Sequence, residues 1–383
     1  MFKRRKSILC LLIAVLMMAS ASTAAMAASP YETRYNNTVM ASSVASISES
    51  GLLTVDNQFQ GIRGKTTKGE ITTYDVTLGE IQQELIDYAS IAGSKIVPGT
   101  DSYYDYVVNQ LLNHSDQKLC EHPHYDLIHA YMAEYKVTYE DYLFCREADD
   151  SYKEDIINAI TRSNDCVRAN VGNDEVTFEL STSFLSKTIS DIIRENEEKE
   201  VLSKIYGEPM KVSGYSGSQA ASYAKQYADS YNSAYPHYSA DCANFVSQCV
   251  YWGGLSMNGS SVNVGIHDST TNWYCIYINT ILWVRRYAVT TSWIRVSDFN
   301  AYFSSIGTKT TKTTISALVS SCAVGDPVQL ADKTTGTAYH TIIISEKDSS
   351  TAYFCGHTNS RNNVNVYDYL NQNQDKFILF DIT

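Results

Sequence analysis

Apolar residues recur at helical spacing through the first half of the chain and at strand spacing near its end. "TLGEIQQELIDYA" opens with Thr77 and Glu80 at capping-box spacing and puts Ile81, Leu85 and Ile86 on one face. "DSYYDYVVNQLLNH" repeats the pattern with Tyr104, Val107, Val108 and Leu111, "SYKEDIINAITR" begins with a second capping box at Ser151 and Glu154, and "STSFLSKTISDIIRENEEKE" follows. These runs predict a mostly helical domain over 71–206, with a poorly ordered polar segment, 28–70, before it. "GEPMKVSGYSGSQ" is rich in Gly and Ser and predicts a linker over 207–217. Beyond it, "SQAASYAKQYADSYN" predicts a helix with Ala220, Tyr223, Ala224 and Tyr227 on one close-packing face. Residues 256–275 read as loop, and 275–303 as helix mixed with aromatic turn. The period then changes to two: "DPVQLAD", "AYHTIIISEK", "TAYFCGHTN" and "DKFILFDIT" read as short strands separated by turns. Helices followed by a small antiparallel sheet is an α+β order.

The first 27 residues do not belong to this pattern. Lys3, Arg4, Arg5 and Lys6 precede an apolar run from Ile8 to Met18 that exits through small residues, Ala25-Met26-Ala27. That arrangement is expected to be a secretory signal peptide, and the apolar run is short for a membrane span. The chain is therefore expected to be secreted, extracellular or associated with the cell wall, with no stable membrane span after cleavage. Removing the four basic residues of the leader leaves 26 Lys and Arg against 42 Asp and Glu, a net charge of about −16. Such a chain lacks the positive footprint of a nucleic-acid partner, and any wall polymer would have to be held by a specific groove rather than by charge.

Eight cysteines remain after the leader, so disulfides are allowed in an exported chain. A chain of this length can also build its own core without them. "CEHPH" at 120–124, with His114 and His129 nearby, invites a metal reading, because cysteine and histidine both ligate zinc. The spacing matches no closed zinc site and Pro123 interrupts the helix, so surface histidines and a buried thiol are the expectation; no metal and no cofactor are assigned.

"YSADCANFVSQCVYWGG" carries more. From Cys242, the positions Phe245, Val246, Cys249 and Val250 fall on one helical face. Cys242 therefore begins a helix, with Asp241 or Ser239 as its cap. Free backbone N–H groups and the positive helix end lower a thiol's pKa. Cys249 lies two turns deeper, about 10.5 Å away at the usual helical rise, beyond disulfide reach. A thiol nucleophile needs a base. The strand-rich part offers His340, on a face with Ile342 and Ile344, and His357, which hairpin pairing could bring with Asn359 beside it.

"YAKQYADSYNSAYPHYSADCANFVSQCVYWGG" resembles the signature of the putative amidase domain family, a branch of the NlpC/P60-like, papain-like cysteine hydrolases. Asp241, Cys242, Asn244, Phe245, Ser247, Gln248, Cys249, Gly253 and Gly254 stand in the family's order. "NWYC", "TSWIRVSDFNAYF", "VGDPVQL", His340 and "GHTNSR" continue it. The resemblance covers about 215–383 and implies a papain-like catalytic domain over 218–383. It implies Cys242 as nucleophile and His340 as general base, with His357, or else Asn359, orienting the imidazole. It also implies the Cys242 backbone N–H as an oxyanion donor, with Tyr231 or Asn232 as a second. Asp241 would meet a substrate ammonium or serve only as the helix cap, and Trp273 and Trp293 would line a groove or pack in the core. Ala243 and Asn244 stand where the cell-wall endopeptidases of the superfamily have Ser and Gly, which leaves the cleaved bond open. The reading is an exported cysteine amidase or peptidase acting through a thioester, with peptidoglycan stem peptides as the expected substrate. A non-catalytic envelope-binding module and a transglutaminase-like acyl transfer to an amine are the alternatives.

Overall fold

The computed structural model describes residues 76–148, 157, 160–161, 164–170, 175–206, 214–281 and 284–382, together with four short strands nearer the N-terminus. The expected leader, most of 28–70, residues 207–213 of the expected linker and the Ser151/Glu154 box lie outside them. The chain divides into two units, 1–76 and 77–383. In the first, β1 (Ser46–Ile47) pairs with β2 (Leu53–Thr54) and β3 (Arg63–Lys65) with β4 (Thr72–Tyr74), both antiparallel. No described helix is long and apolar enough to cross a membrane.

The second unit mixes helix and sheet: a helix-rich first part, then a sheet-rich one. Helix α1 (Leu78–Ile91) begins with the capping box read from the sequence: Glu80 N–H donates to Thr77 Oγ1 at 3.2 Å, and Thr77 N–H to Glu80 Oε2 at 2.8 Å. Its buried stripe is Leu78, Ile81, Leu85 and Ala89, and a carboxylate, Glu84, sits within it. Helix α2 (Asp101–Asn113) buries Tyr104, Val107, Val108 and Leu111 as the periodicity predicts. The short α3 (Gln117–Cys120) and a turn through His122 lead to α4 (Tyr125–Glu147), a 23-residue helix buried on nearly all sides. A helix covered all round has neighbours on every face; α4 packs on α1, α2, β11 and β12. A hairpin of β5 (Val167–Asn170) and β6 (Glu175–Phe178) interrupts the region expected to be helical throughout. Val167, Val176, Thr177 and Phe178 suit strands, but the runs are too short to stand out in the sequence. The next predicted helix is two, α5 (Thr182–Ser186) and α6 (Ile189–Tyr206).

Helix α7 (Gly217–Tyr227) and α8 (Cys242–Trp252) form next. Gly217 touches the 324–325 turn so closely that a Cβ there would lie 1.8 Å from the Val324 carbonyl oxygen, so only glycine fits. β7 (Gly265–His267), β9 (Val284–Thr290) and β8 (Cys275–Ile281) make a three-stranded sheet in that order, where loop was expected for β7 and helix mixed with turn for β8 and β9. After α9 (Thr291–Ile294) and α10 (Val296–Ile306) come β10 (Thr308–Lys312), α11 (Ile315–Ser321), β11 (Pro327–Asp332), β12 (Ala338–Lys347), β13 (Ala352–Gly356), β14 (Arg361–Asn365), α12 (Val366–Tyr369) and β15 (Asp375–Asp381). The six strands form an antiparallel sheet ordered β10-β15-β11-β12-β13-β14. Its central strands, β11 and β12, are buried almost throughout, because β12 takes contacts from α4, α7, α8 and α10. The helical region therefore packs onto the sheet within one unit rather than standing apart from it.

Candidate active site

Cys242 is the first residue of α8, as its helical phase predicts. Asp241 occupies the cap position, but its side chain makes no capping bond. Its Oδ1 accepts from the Tyr238 N–H (2.9 Å) and Asn244 Nδ2 (2.8 Å), and its Oδ2 meets His357 Nδ1 at 2.6 Å. The Asp241 N–H donates to Thr358 Oγ1 at 2.9 Å. The end of β13 is thus stitched to the start of the cysteine helix. The chain can make this stitch because it turns sharply after Gly356, with Thr358 (φ 55°) and Asn359 (φ 75°) both left-handed.

This arrangement corrects the expected role of His357. Its second nitrogen, Nε2, faces the Tyr227 carbonyl at 2.8 Å, and its ring stacks on Phe245 at 4.0 Å. With both nitrogens committed, it has none left to orient His340. Asp241 is likewise saturated and only 1% exposed, so it presents no free carboxylate to a substrate ammonium.

His340 lies on β12 opposite Leu330 of β11. Gly356 is beside it; a Cβ there would come within 3.7 Å of His340 Nε2. The imidazole is buried and its Nδ1 has no hydrogen-bond partner. Burial holds its pKa well below 6.5, and Lys136 and Arg361 act in the same direction. The ring is therefore neutral and able to accept a proton.

The thiol differs from expectation. The sequence places Cys242 at an exposed, electropositive helix start; the structure leaves it 1% exposed. Burial pushes the thiol up to about 11, with Glu140 and Asp241 adding to this, while Lys136 and a hydrogen bond from the Thr341 backbone N–H act against it. Desolvation outweighs the helix end. Lys136 and Glu140 come from α4, so the upstream helical region contributes to the thiol's surroundings. Lys136 is itself fully buried, paired with Glu140 and donating to the Tyr339 carbonyl at 2.7 Å, one residue before His340. Sequence reasoning missed this pair. The available signal was Lys136 and Glu140 at i, i+4 inside a long, Tyr-rich helix.

A small cleft opens beside His340, with Asn359, Arg361 and Asp375 in its wall and Leu111 and Leu112 of α2 across it. Asn113 draws that side in: its Oδ1 accepts from Asn359 Nδ2 at 2.7 Å and from Arg361 Nη2. The remaining candidates do not line this cleft, although Tyr231 packs edge-on to the His357 ring. Asn232 donates to Tyr223 Oη at 3.0 Å and accepts the Ala234 N–H, so it is committed locally; Tyr231 is 55% exposed and stacks on His237. Trp273 and Trp293 are fully buried and line no groove. Their indoles donate to Ser247 Oγ and Asn244 Oδ1, which gives these two family-pattern residues structural work. Cys249 is buried in the packed face, and all eight cysteines after the expected leader are free thiols.

Residues 214–380 match the model of a family described as a putative amidase domain. The match begins just before α7 and takes in Cys242, His340 and the 357–361 turn. At the level of class the match points to amide hydrolysis by this part of the chain. No curated protein and no solved structure matches the chain.

Proposed function

We propose that the protein is an exported cysteine amidase or peptidase of papain-like design, with Cys242 as nucleophile and His340 as general base. One observation carries the proposal. The Cys242 thiol sits at a helix start against the Thr341 N–H, and the adjacent residue, His340, holds a neutral imidazole with a buried, unpartnered Nδ1. A thiol pushed up to about 11 and a weakly basic ring form a neutral pair at rest. The proton passes to His340 as sulfur attacks the amide carbonyl. The backbone N–H of Cys242 is the donor to the developing oxyanion. His340 then protonates the leaving amine, and water, activated by the same ring, hydrolyses the thioester. Asn359, in the His340 cleft, takes the orienting role once its bond to Asn113 is exchanged. Peptidoglycan stem peptides are the substrate class that fits export and the resemblance to cell-wall hydrolases.

Digestion of purified peptidoglycan and a peptide panel by the 28–383 protein tests the reading, with C242A as control. The expected product is a new amide cut, seen by mass spectrometry and missing with C242A.

The near-complete burial of Cys242 favours a second reading, a catalytically silent binding module. The two separate on whether any condition that loosens α2 and α4 from the cleft, such as the N113A variant, gives C242-dependent cleavage. If none does, the binding module stands.

A further inference from the structure

The histidines of "CEHPH" have a partner far away in the sequence. Glu84 projects from the buried stripe of α1, and its Oε1 lies 2.9 Å from His124 Nδ1 and 3.7 Å from His122 Nε2. All three side chains are buried. One ligand atom from each falls within 4.8 Å of the other two. Donors around a tetrahedral zinc ion, at about 2.0–2.1 Å from the metal, stand about 3.3 Å from one another. The two measured separations bracket that value.

Two atoms of the cluster also lack a partner: Glu84 Oε2 and His122 Nε2 are buried with no hydrogen bond. Buried polar atoms without partners are uncommon and costly, and a cation between them would satisfy both. Asp87 adds negative charge next to Glu84. His122 Nδ1 now receives the His124 backbone N–H across a long 3.3 Å contact. Ligation through Nε2 moves the ring proton to Nδ1 and gives up that contact.

We propose that Glu84, His122 and His124 form a binding site for a divalent transition-metal cation, with Zn²⁺ the ion best suited to two imidazoles and a carboxylate. The fourth position is open to Glu84 Oε2 or to water. The ion would clamp α1 to the turn that starts α4, the helix that carries Lys136 and Glu140 to the thiol.

The test uses the untagged 28–383 protein, stripped with a chelator and titrated with Zn²⁺ by calorimetry and with Co²⁺ by absorption spectroscopy. One equivalent should bind, and the Co²⁺ complex should show ligand-field bands without a thiolate charge-transfer band. E84Q and H122Q, checked for folding by circular dichroism, should each weaken binding by at least about 100-fold, since even outer partners of a ligand contribute 10–100-fold. Absence of binding by the folded parent protein overturns the proposal. So does a thiolate band, or an affinity unchanged in both variants, either of which assigns the metal to the free cysteines.

Discussion

Asp241 does more than cap a helix. Its carboxylate serves His357, Asn244 and the Tyr238 N–H together, and removing it leaves a buried imidazole without its partner. D241A is expected to cost about 3 kcal/mol, the scale for breaking one side of a buried pair. The loss is read as a lower denaturant midpoint, with D241N losing less. Asp326 acts through solvation. Burial raises its carboxyl from 3.8 to about 7, and Oδ1 has no partner. A raised folded pKa means the folded state holds the proton more tightly. That contribution is complete below pH 3.8 and is lost as pH rises toward about 7. D326N should therefore raise the melting temperature by a few degrees at pH 8 and leave it little changed at pH 4. The position of Cys242 on its helix was legible in the sequence because helical phase is a local property. Its burial was not, because Lys136 and Glu140 arrive from about a hundred residues upstream. The same reason hid the Glu84–His122–His124 cluster: the spacing within "CEHPH" is unhelpful until Glu84 joins it.

Elements were legible where period and cap agreed. The Thr77–Glu80 box and the stripes of α2 and α8 appear as expected, as do those of α1 and α7 apart from Ile86 and Tyr227, which are only half-buried. The β5–β6 and β8–β9 hairpins were not foreseen, since their short aromatic and β-branched runs fit a buried helix equally well. How elements attach to one another was also hidden. Arg295, at the start of α10, makes a two-pronged ion pair with Asp141 of α4, at 2.8 and 2.9 Å, and both are largely buried. This pair ties the helical region to the family-matched part. D141A should destabilise the unit by about 3 kcal/mol, while D141L with R295M should recover much of that loss. A double-mutant cycle in urea measures the difference.

At the scale of the whole molecule, two domains joined by a linker were the expectation, and residues 77–383 form a single unit. The Gly- and Ser-rich composition at 207–217 says nothing of the buried contacts, such as Lys136 to the Tyr339 carbonyl, that join the parts on either side of it. All four tryptophans lie after residue 250, so their fluorescence reports the sheet-rich part while far-ultraviolet dichroism is weighted to the helices. The two signals should unfold at one urea midpoint; separate midpoints would mean two independent domains. If a neutral Cys242–His340 pair performs amide hydrolysis, the pH dependence of kcat/KM on a cleaved peptide carries its signature. With His340 held well below 6.5, the rate should stay level from pH 6.5 upward through neutrality and fall only in more acid solution, as the ring gains its proton; H340A and C242A should lack activity. An acid limb centred near 6.5, or a rate that survives either substitution, would rule out this pair as the catalytic machinery.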